Sequence, residues 1–436
     1  MPAPAEPQQD RVEPRHFAFL GLLTLLNVLN FVDRQLLASF ANFVIPDLGL
    51  TNTQFALLTG FNFLIFYAVM GLFAGTLADR VHRPRLIAAG IALWSALTAV
   101  SGAARGFWTL ALPRTFIGVG ESVLTPSSMS LLSDRFPPRL LGFAAGAYYM
   151  GVPIGVAVSL LITGYLGPEL GWRKCFALLG AIGIGLAAVV AFIPETPRRH
   201  VAAAGAPKPS FRGAITTLVV ALRASPALVL TMAGGIALHF ILGAATWDQV
   251  WYVQERGFER AEVARWTGWI GLVGGILGNL LGGLGSDWWL RRTGTGRPMF
   301  LFWVSLLLSP LGFIYRLVPG DSPWFWIGLF SGYVQLGAIY GPTFSTVQEL
   351  VPPQIRATVV AFFILVLNLV GLGIGITFSG IVLDALVARG VAQPYTKTLI
   401  VFTALSVSAL PLFWLAGKRF VGDRDRLYAS LGASAA

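Results

Sequence analysis

Gly75-Thr76-Leu77-Ala78-Asp79-Arg80-Val81-His82-Arg83-Pro84-Arg85 closes one long apolar stretch and opens the next. Gly75 removes side-chain bulk, so a neighbouring helix can pack close. Asp79 falls at the membrane edge, where a carboxylate can bond a helix N-terminus or an arginine. Arg80, Arg83 and Arg85 follow in a short basic loop. A contact of this kind can break and reform, which makes the stretch a latch between two states. The stretch also has an echo. Thr59, Gly60, Gly75 and Asp79 recur as Thr267, Gly268, Gly283 and Asp287, each displaced by 208 residues. Pro137-Pro138 recurs as Pro352-Pro353, displaced by 215. Four matches at one offset point to two related halves, and internal repeats with a midplane site between them mark transporters.

The flanking sequence fits this reading. Apolar spans 1 to 6 run over 17–43, 53–78, 86–104, 107–133, 140–165 and 174–193. Spans 7 to 12 run over 226–253, 262–286, 298–316, 323–350, 357–384 and 393–417. Most reach the ~20 residues that cross a bilayer, and several exceed it. The chain is 55% hydrophobic and 12% charged, with mean hydropathy +0.71. Roughly a quarter of a soluble domain is charged, so lipid rather than water is the expected solvent. The fold expected is therefore all-α: twelve transmembrane helices in two pseudo-symmetric six-helix bundles.

Of the 31 Lys and Arg, 20 lie in the even loops and tails, 9 in the odd loops and 2 inside spans. Arg316 is counted with the odd, outer loops. The positive-inside rule then puts both termini in the cytoplasm. That distribution accounts for the net charge of +11 without nucleic acid, for which no soluble basic domain exists. The expected layout is an N-terminal tail 1–16, a bundle 17–194, a polar cytoplasmic linker 195–225, a second bundle 226–418 and a tail 419–436. The apolar run after residue 16 is too long for a signal-peptide core. Cys175 is the one cysteine, which excludes an intramolecular disulfide and a cysteine metal cluster. No cofactor or metal is expected.

Charge inside the spans carries the chemistry. Asn30-Phe31-Val32-Asp33-Arg34-Gln35 lies well within span 1. A charge at the bilayer centre costs ~3 kcal/mol or more on insertion scales, so two adjacent ones need partners or water. Adjacent residues differ by ~100° around a helix, so Asp33 and Arg34 cannot face the same way. Arg114 and Glu121 in span 4 lie two turns apart on one face, ~10 Å along the axis. Counted from the outer ends of the two spans, Asp33 and Arg34 fall between Arg114 and Glu121 in depth. A four-member network results, with Asp33 near Arg114 and Arg34 near Glu121. A buried carboxylate beside a movable arginine can titrate when its partner moves. That is a physical basis for coupling protons to transport; a static ion pair that fixes packing is the competing reading.

The Gly75–Arg85 stretch resembles the signature loop of the major facilitator superfamily, and twelve spans with a central loop extend the likeness over nearly the whole chain. His82-Arg83-Pro84 departs from the usual glycine–basic pattern. Asn30-x-x-Asp33-Arg34 with Arg114-x-x-x-Gly118-x-Gly120-Glu121 resembles the spinster group of that superfamily. Asp134-Arg135, Pro137-Pro138-Arg139, Gly142, Gly146, Gly151, Gly155 and Gly171-Trp172-Arg173 fit it too. The resemblance implies alternating access by a monomer in the inner membrane, and transport of lysolipids or sphingoid phosphates driven by protons. It makes Asp33 and Glu121 the proton carriers and Arg34 and Arg114 their charge partners or headgroup ligands. It adds Asp134 and Arg135 to the latch.

Span charges are fewer in the second half: His239, Asp248 and Glu349. Asp248 suits a cavity wall or a water-facing rim equally. Polar or aromatic candidates for the cavity are Asn30, Asn62, Ser122, Thr125, Tyr148, Tyr149, Trp247, Gln335, Tyr340 and Asn368, with Phe61 and Phe63 as acyl-chain contacts. A charged first half for a headgroup and a greasier second half for a tail fit an amphiphilic substrate. A proton-coupled symporter of a small organic anion, or a multidrug efflux carrier, stays open. Neither a His-Glu-x-x-His motif nor a Walker loop occurs, and no Ser–His pair is evident, so neither a membrane enzyme nor ATP drive from this chain is expected.

Overall fold

A backbone in lipid must satisfy its polar groups within its own segment, and helices do so. The computed structural model describes residues 13–78, 80–198, 211–351 and 353–430. Among them, ten helical stretches are long and apolar enough to cross a membrane. Spans 4 and 10 are helical as well, over Phe107–Glu121 with Leu124–Arg135 and over Pro323–Leu350. Span 4 carries Arg114 and Glu121, and span 10 is diluted by Gly, Tyr, Thr and Gln. Those residues, and the interruption of span 4 at residues 122–123, keep both out of the ten.

The internal repeat is visible in backbone geometry. Span 1 breaks between Pro14–Ser39 and Ala41–Leu48, and span 7 breaks at Ala245–Trp247. Gly49 (φ 60) and Gly257 (φ 77) then end the two short helices in the left-handed region that glycine adopts without strain. The next helices start at Asn52 and Arg260, the same displacement of 208 residues as the Thr59 and Thr267 match.

The chain divides into two compact units, Met1–Leu37 with Ile65–Ala206, and Ala38–Leu64 with Pro207–Ala436. In the first unit, small residues draw the helices together. A Cβ on Gly155 in span 5 would lie 2.6 Å from the Val28 carbonyl and the Phe31 Cβ of span 1. A Cβ on Gly183 in span 6 would lie 2.0 Å from Ser95 Oγ of span 3. These approaches bury one face of span 1 against span 5 and hold span 3 beside span 6.

In the second unit, the core joins Leu228, Met232, Val347, Phe363 and Leu367 with Phe420 and Leu427. The segment read as a polar linker ends in a helix, Phe211–Ala224, whose Leu218, Ala221 and Leu222 pack on that core. Residues Ala38–Leu64, the end of span 1 and the start of span 2, also pack within this unit. Asp384 near the end of span 11 accepts from the backbone N–H groups of Asn52 (3.0 Å) and Thr53 (2.7 Å) and from Asn52 Nδ2 (2.9 Å). Asn42 Nδ2 donates to the Gln249 carbonyl at 2.7 Å.

Candidate functional site

The first unit brings the four span charges together. Arg34 donates from Nε (3.1 Å) and Nη2 (2.9 Å) to one oxygen of Glu121. Asp33, one residue earlier and turned about 100° away, accepts from Thr98 Oγ1 at 2.6 Å. Arg114 reaches the Arg34 carbonyl at 3.5 Å, and the charges of Asp33 and Glu121 both act on it. Two carboxylates and two arginines balance, which offsets part of the cost of holding each out of water. Asp33, Arg114 and Glu121 are 2%, 1% and 1% exposed, whereas the Arg34 side chain keeps 18% of its surface. Arg34 is thus the member of the network that faces open space.

Aromatic rings wall that opening. The Arg34 guanidinium lies 4.4 Å from the Tyr67 ring centre and 4.8 Å from that of Phe31, within cation–π range. Tyr67 has no charge or spacing that marks it in the sequence. Tyr149 is 45% exposed. Tyr148 is fully buried and its hydroxyl lies 3.1 Å from Thr125 Oγ1, so it shapes the wall from behind rather than lining it. Asn30 and Ser122 are buried, and Ser122 turns its hydroxyl back to the Val119 carbonyl.

The latch residues form a second cluster in the same unit. Arg83 is 1% exposed and donates to Asp134 and to Ser130. Its backbone N–H and Nε also bind Glu195, at 2.6 and 2.9 Å. Arg135 donates to Thr196 Oγ1 at 2.8 Å, and burial pulls its proton affinity below the usual arginine range. Arg80 is exposed. Gly75 lies in the helix Phe61–Ala78, and Asp79 lies outside the described residues. Glu195, Thr196 and Arg198 were read as linker only. They instead stitch the end of span 6 to the loop, and Arg198 caps the Ala78 and Val81 carbonyls. The second unit repeats the motif: Arg297 binds Asp287 and Glu349.

Asp248 is neither a bare cavity wall nor a free rim charge, because Arg316 binds it at 3.2 Å. Arg316 is not a loop charge. It belongs to the last turn of Arg297–Leu317 and is 3% exposed. Its guanidinium lies 4.7 Å from the Tyr315 ring and 5.3 Å from that of Trp251. The second unit therefore carries its own buried ion pair, and "greasy" describes only part of it. His239 Nδ1 lies 2.8 Å from the Gly235 carbonyl, which only accepts. Nδ1 therefore carries a hydrogen, and Nε2 lies 3.1 Å from the Tyr340 hydroxyl, which can partner it. Both ring nitrogens are thus engaged, the pattern of a packed histidine. Trp247 is fully buried and donates to Ser379, so it presents no surface to a cavity in this state. Asn368 bonds its own helix at Ile364. Asn62 and Gln335 are half-buried.

Comparison with known proteins agrees with this architecture. The Major Facilitator Superfamily model matches residues 23–376. An "MFS-type efflux pump" of Mycolicibacterium smegmatis is 30% identical over 424 residues, covering 95% of this chain and 96% of that protein. The sphingosine-1-phosphate transporter SPNS2 of Danio rerio is 25% identical over 361 residues, 78% of this chain and 71% of that one. The crystal structure of a bacterial homologue of the human lysosomal transporter Spinster, inward-facing and unoccupied, superimposes with a TM-score of 0.81. It is 24% identical, over 95% of this chain and 99% of that one. The two halves, the membrane helices and the match over most of the length lead to one assignment: the chain belongs to the major facilitator superfamily of transporters.

Proposed function

We propose that this transporter moves an amphiphile with an anionic headgroup, of the lysolipid or sphingoid-phosphate kind, by proton-coupled alternating access in the inner membrane. The observation that carries the reading is the Arg34–Glu121 pair. It offers a buried carboxylate and a part-open guanidinium between two aromatic rings. A phosphate or carboxylate headgroup competes with Glu121 for Arg34. Glu121 stripped of its cation is a costly buried charge, and it takes up a proton instead. Anion and proton therefore bind together, each aiding the other by linkage. Asp33 is the second carrier, and Arg114 keeps the network neutral. A sphingosine-1-phosphate transporter among the relatives supports the lipid class.

Efflux of cationic or neutral drugs is the second reading, favoured by the relative named an efflux pump. The two differ in sign. A cationic substrate competes with the proton, so its binding weakens as pH falls, whereas anionic-lipid binding tightens. Purified protein titrated with a lysolipid, with its soluble headgroup and with a cationic drug, across pH, separates them. Tighter lysolipid binding at low pH with weak headgroup binding supports the proposal. Equal binding of lipid and headgroup points to the small-anion symporter, and a cationic drug that binds more tightly than the lysolipid and weakens as pH falls points to efflux.

A further inference from the structure

Thr98 stands out among the hydroxyls of the membrane helices. Thr115, Thr163, Thr231 and Thr403 each donate to the carbonyl four residues back, at 2.7–3.1 Å. A threonine has one hydroxyl hydrogen to give. Thr98 gives it to Asp33 Oδ1 at 2.6 Å. Thr98 is fully buried and Asp33 is 2% exposed, so water does not substitute for either partner. The alignment is enforced from outside the pair. Span 3 is clamped by Gly120 of span 4 against Gly90, and by Gly180 and Gly183 of span 6 against Ser95 and Ala99.

We propose that Thr98 is a positioning residue for proton coupling: its hydroxyl holds Asp33 in the ionised, correctly oriented form and sets the pH at which Asp33 takes up a proton. This rests on the reading that Asp33 carries a coupling proton. The charged groups that act on Asp33 are Arg114 and Glu121 of span 4, with Arg34 next to it on its own helix. Span 5 meets span 1 there through Gly151 and Gly155. Among the described residues, Thr98 is the one that donates a neutral hydrogen bond to Asp33, so it adjusts Asp33 without adding charge. When a proton arrives from water it becomes the Asp33 O–H hydrogen. Thr98 keeps its own hydrogen, rotates it away from the carboxyl, and accepts from Asp33. The hydroxyl thus serves both states of the carboxyl and releases neither into a wrong rotamer.

The test is uptake of a labelled lysolipid by liposomes across a range of pH gradients. Thr98→Val keeps the shape and removes the donor. Losing a hydrogen bond to a charged group costs the ionised form about tenfold in population, so the pH midpoint of transport moves up by about one unit. Thr98→Ser restores the wild-type midpoint, a rescue that a packing role does not predict for the smaller side chain. In an Asp33→Asn background, Thr98→Val changes nothing further. A wild-type midpoint in Thr98→Val, while Asp33→Asn abolishes gradient dependence, overturns the role of Thr98 alone. Gradient-driven transport that survives Asp33→Asn overturns the proton reading beneath it. The infrared carboxyl band of Asp33, titrated in detergent, reports the same shift should either variant transport too slowly to measure.

Discussion

Arg34–Glu121 in the first unit and Arg316–Asp248 in the second are both arginine–carboxylate pairs inside membrane helices, at 2.9 and 3.2 Å. They are built in opposite senses. In the first, the carboxylate is sealed (0% exposed) and the guanidinium is open (18%). In the second, the guanidinium is sealed (3%) and the carboxylate is open (19%). The first also adjoins a second carboxylate and a second arginine, so a charge can be exchanged within the cluster. The second ends a helix. Arg256 donates to the Arg316 carbonyl, and the rings of Trp251 and Tyr315 fix the guanidinium. An open cation beside a sealed carboxylate suits binding and titration. A sealed cation in an aromatic cage suits the stapling of span 7 to span 9.

The comparison breaks most visibly in coupling. Glu121→Gln is expected to abolish gradient-driven transport while the protein stays folded, and neutralising Asp248 to Asn is expected to leave gradient dependence in place. Liposome uptake with and without a pH gradient reads both. Equal losses would erase the distinction between the pairs. Next in size is stability. Asp248→Leu strands the sealed Arg316 guanidinium and should cost ~3–5 kcal/mol, seen as a lowered melting temperature in detergent. The double change Arg316→Met with Asp248→Leu should recover most of that loss and keep coupling. Arg34→Met with Glu121→Leu should be stable and uncoupled.

A smaller effect is expected at Asp384, whose carboxylate receives three donors from Asn52 and Thr53. Charge-assisted hydrogen bonds of this kind are worth roughly 1.5–3 kcal/mol. Asp384→Asn should therefore raise thiol labelling of a cysteine placed at the buried Ala56 (Ala56→Cys) by about tenfold, as Ala38–Leu64 leaves the second unit more often. An unchanged labelling rate would make the contact incidental. Cys175 is buried and serves as the background. The smallest effect is at Glu259, which caps Arg260–Leu280. The backbone N–H of Ala261, helped by that of Glu262, holds its carboxyl below the usual carboxylate range. Its contribution is present above the usual value of ~4.3 and is lost as pH falls through the lowered one. Because the group is exposed, Glu259→Ala should cost less than about 1 kcal/mol near neutral pH, and still less in acid.

Much of this was legible in the chain. The constant displacement of 208 residues marks the halves, and it reappears as paired helix breaks and paired left-handed glycines. Depth counted along spans 1 and 4 places Asp33 and Arg34 between Arg114 and Glu121, because helix rise is regular. Counting along a helix does not say which side chain on a third helix completes a hydrogen bond, so Thr98 stayed hidden among many threonines. Tyr67 was hidden likewise among aromatics that face lipid or core. Arg316 was missed for a different reason. At the last turn of a span, the sequence does not distinguish a loop charge from a buried one, and only the cage around it decides. Asp384 is the last residue of span 11 and carries no pattern that marks it, yet it caps a helix more than three hundred residues away. Asp79, which led to the fold, lies outside the described residues; Arg83 and Glu195 carry the part of the latch that can be seen.

The account turns on an open arginine whose partner carboxylate takes a proton when an anionic lipid arrives. The most direct measurement is lysolipid affinity as a function of pH, in wild type and in Glu121→Gln. Wild-type affinity should rise as pH falls, and the Glu121→Gln protein should bind with an affinity that no longer follows pH in the range where Glu121 titrates. The same pH dependence in both proteins would contradict the central role of the Arg34–Glu121 pair.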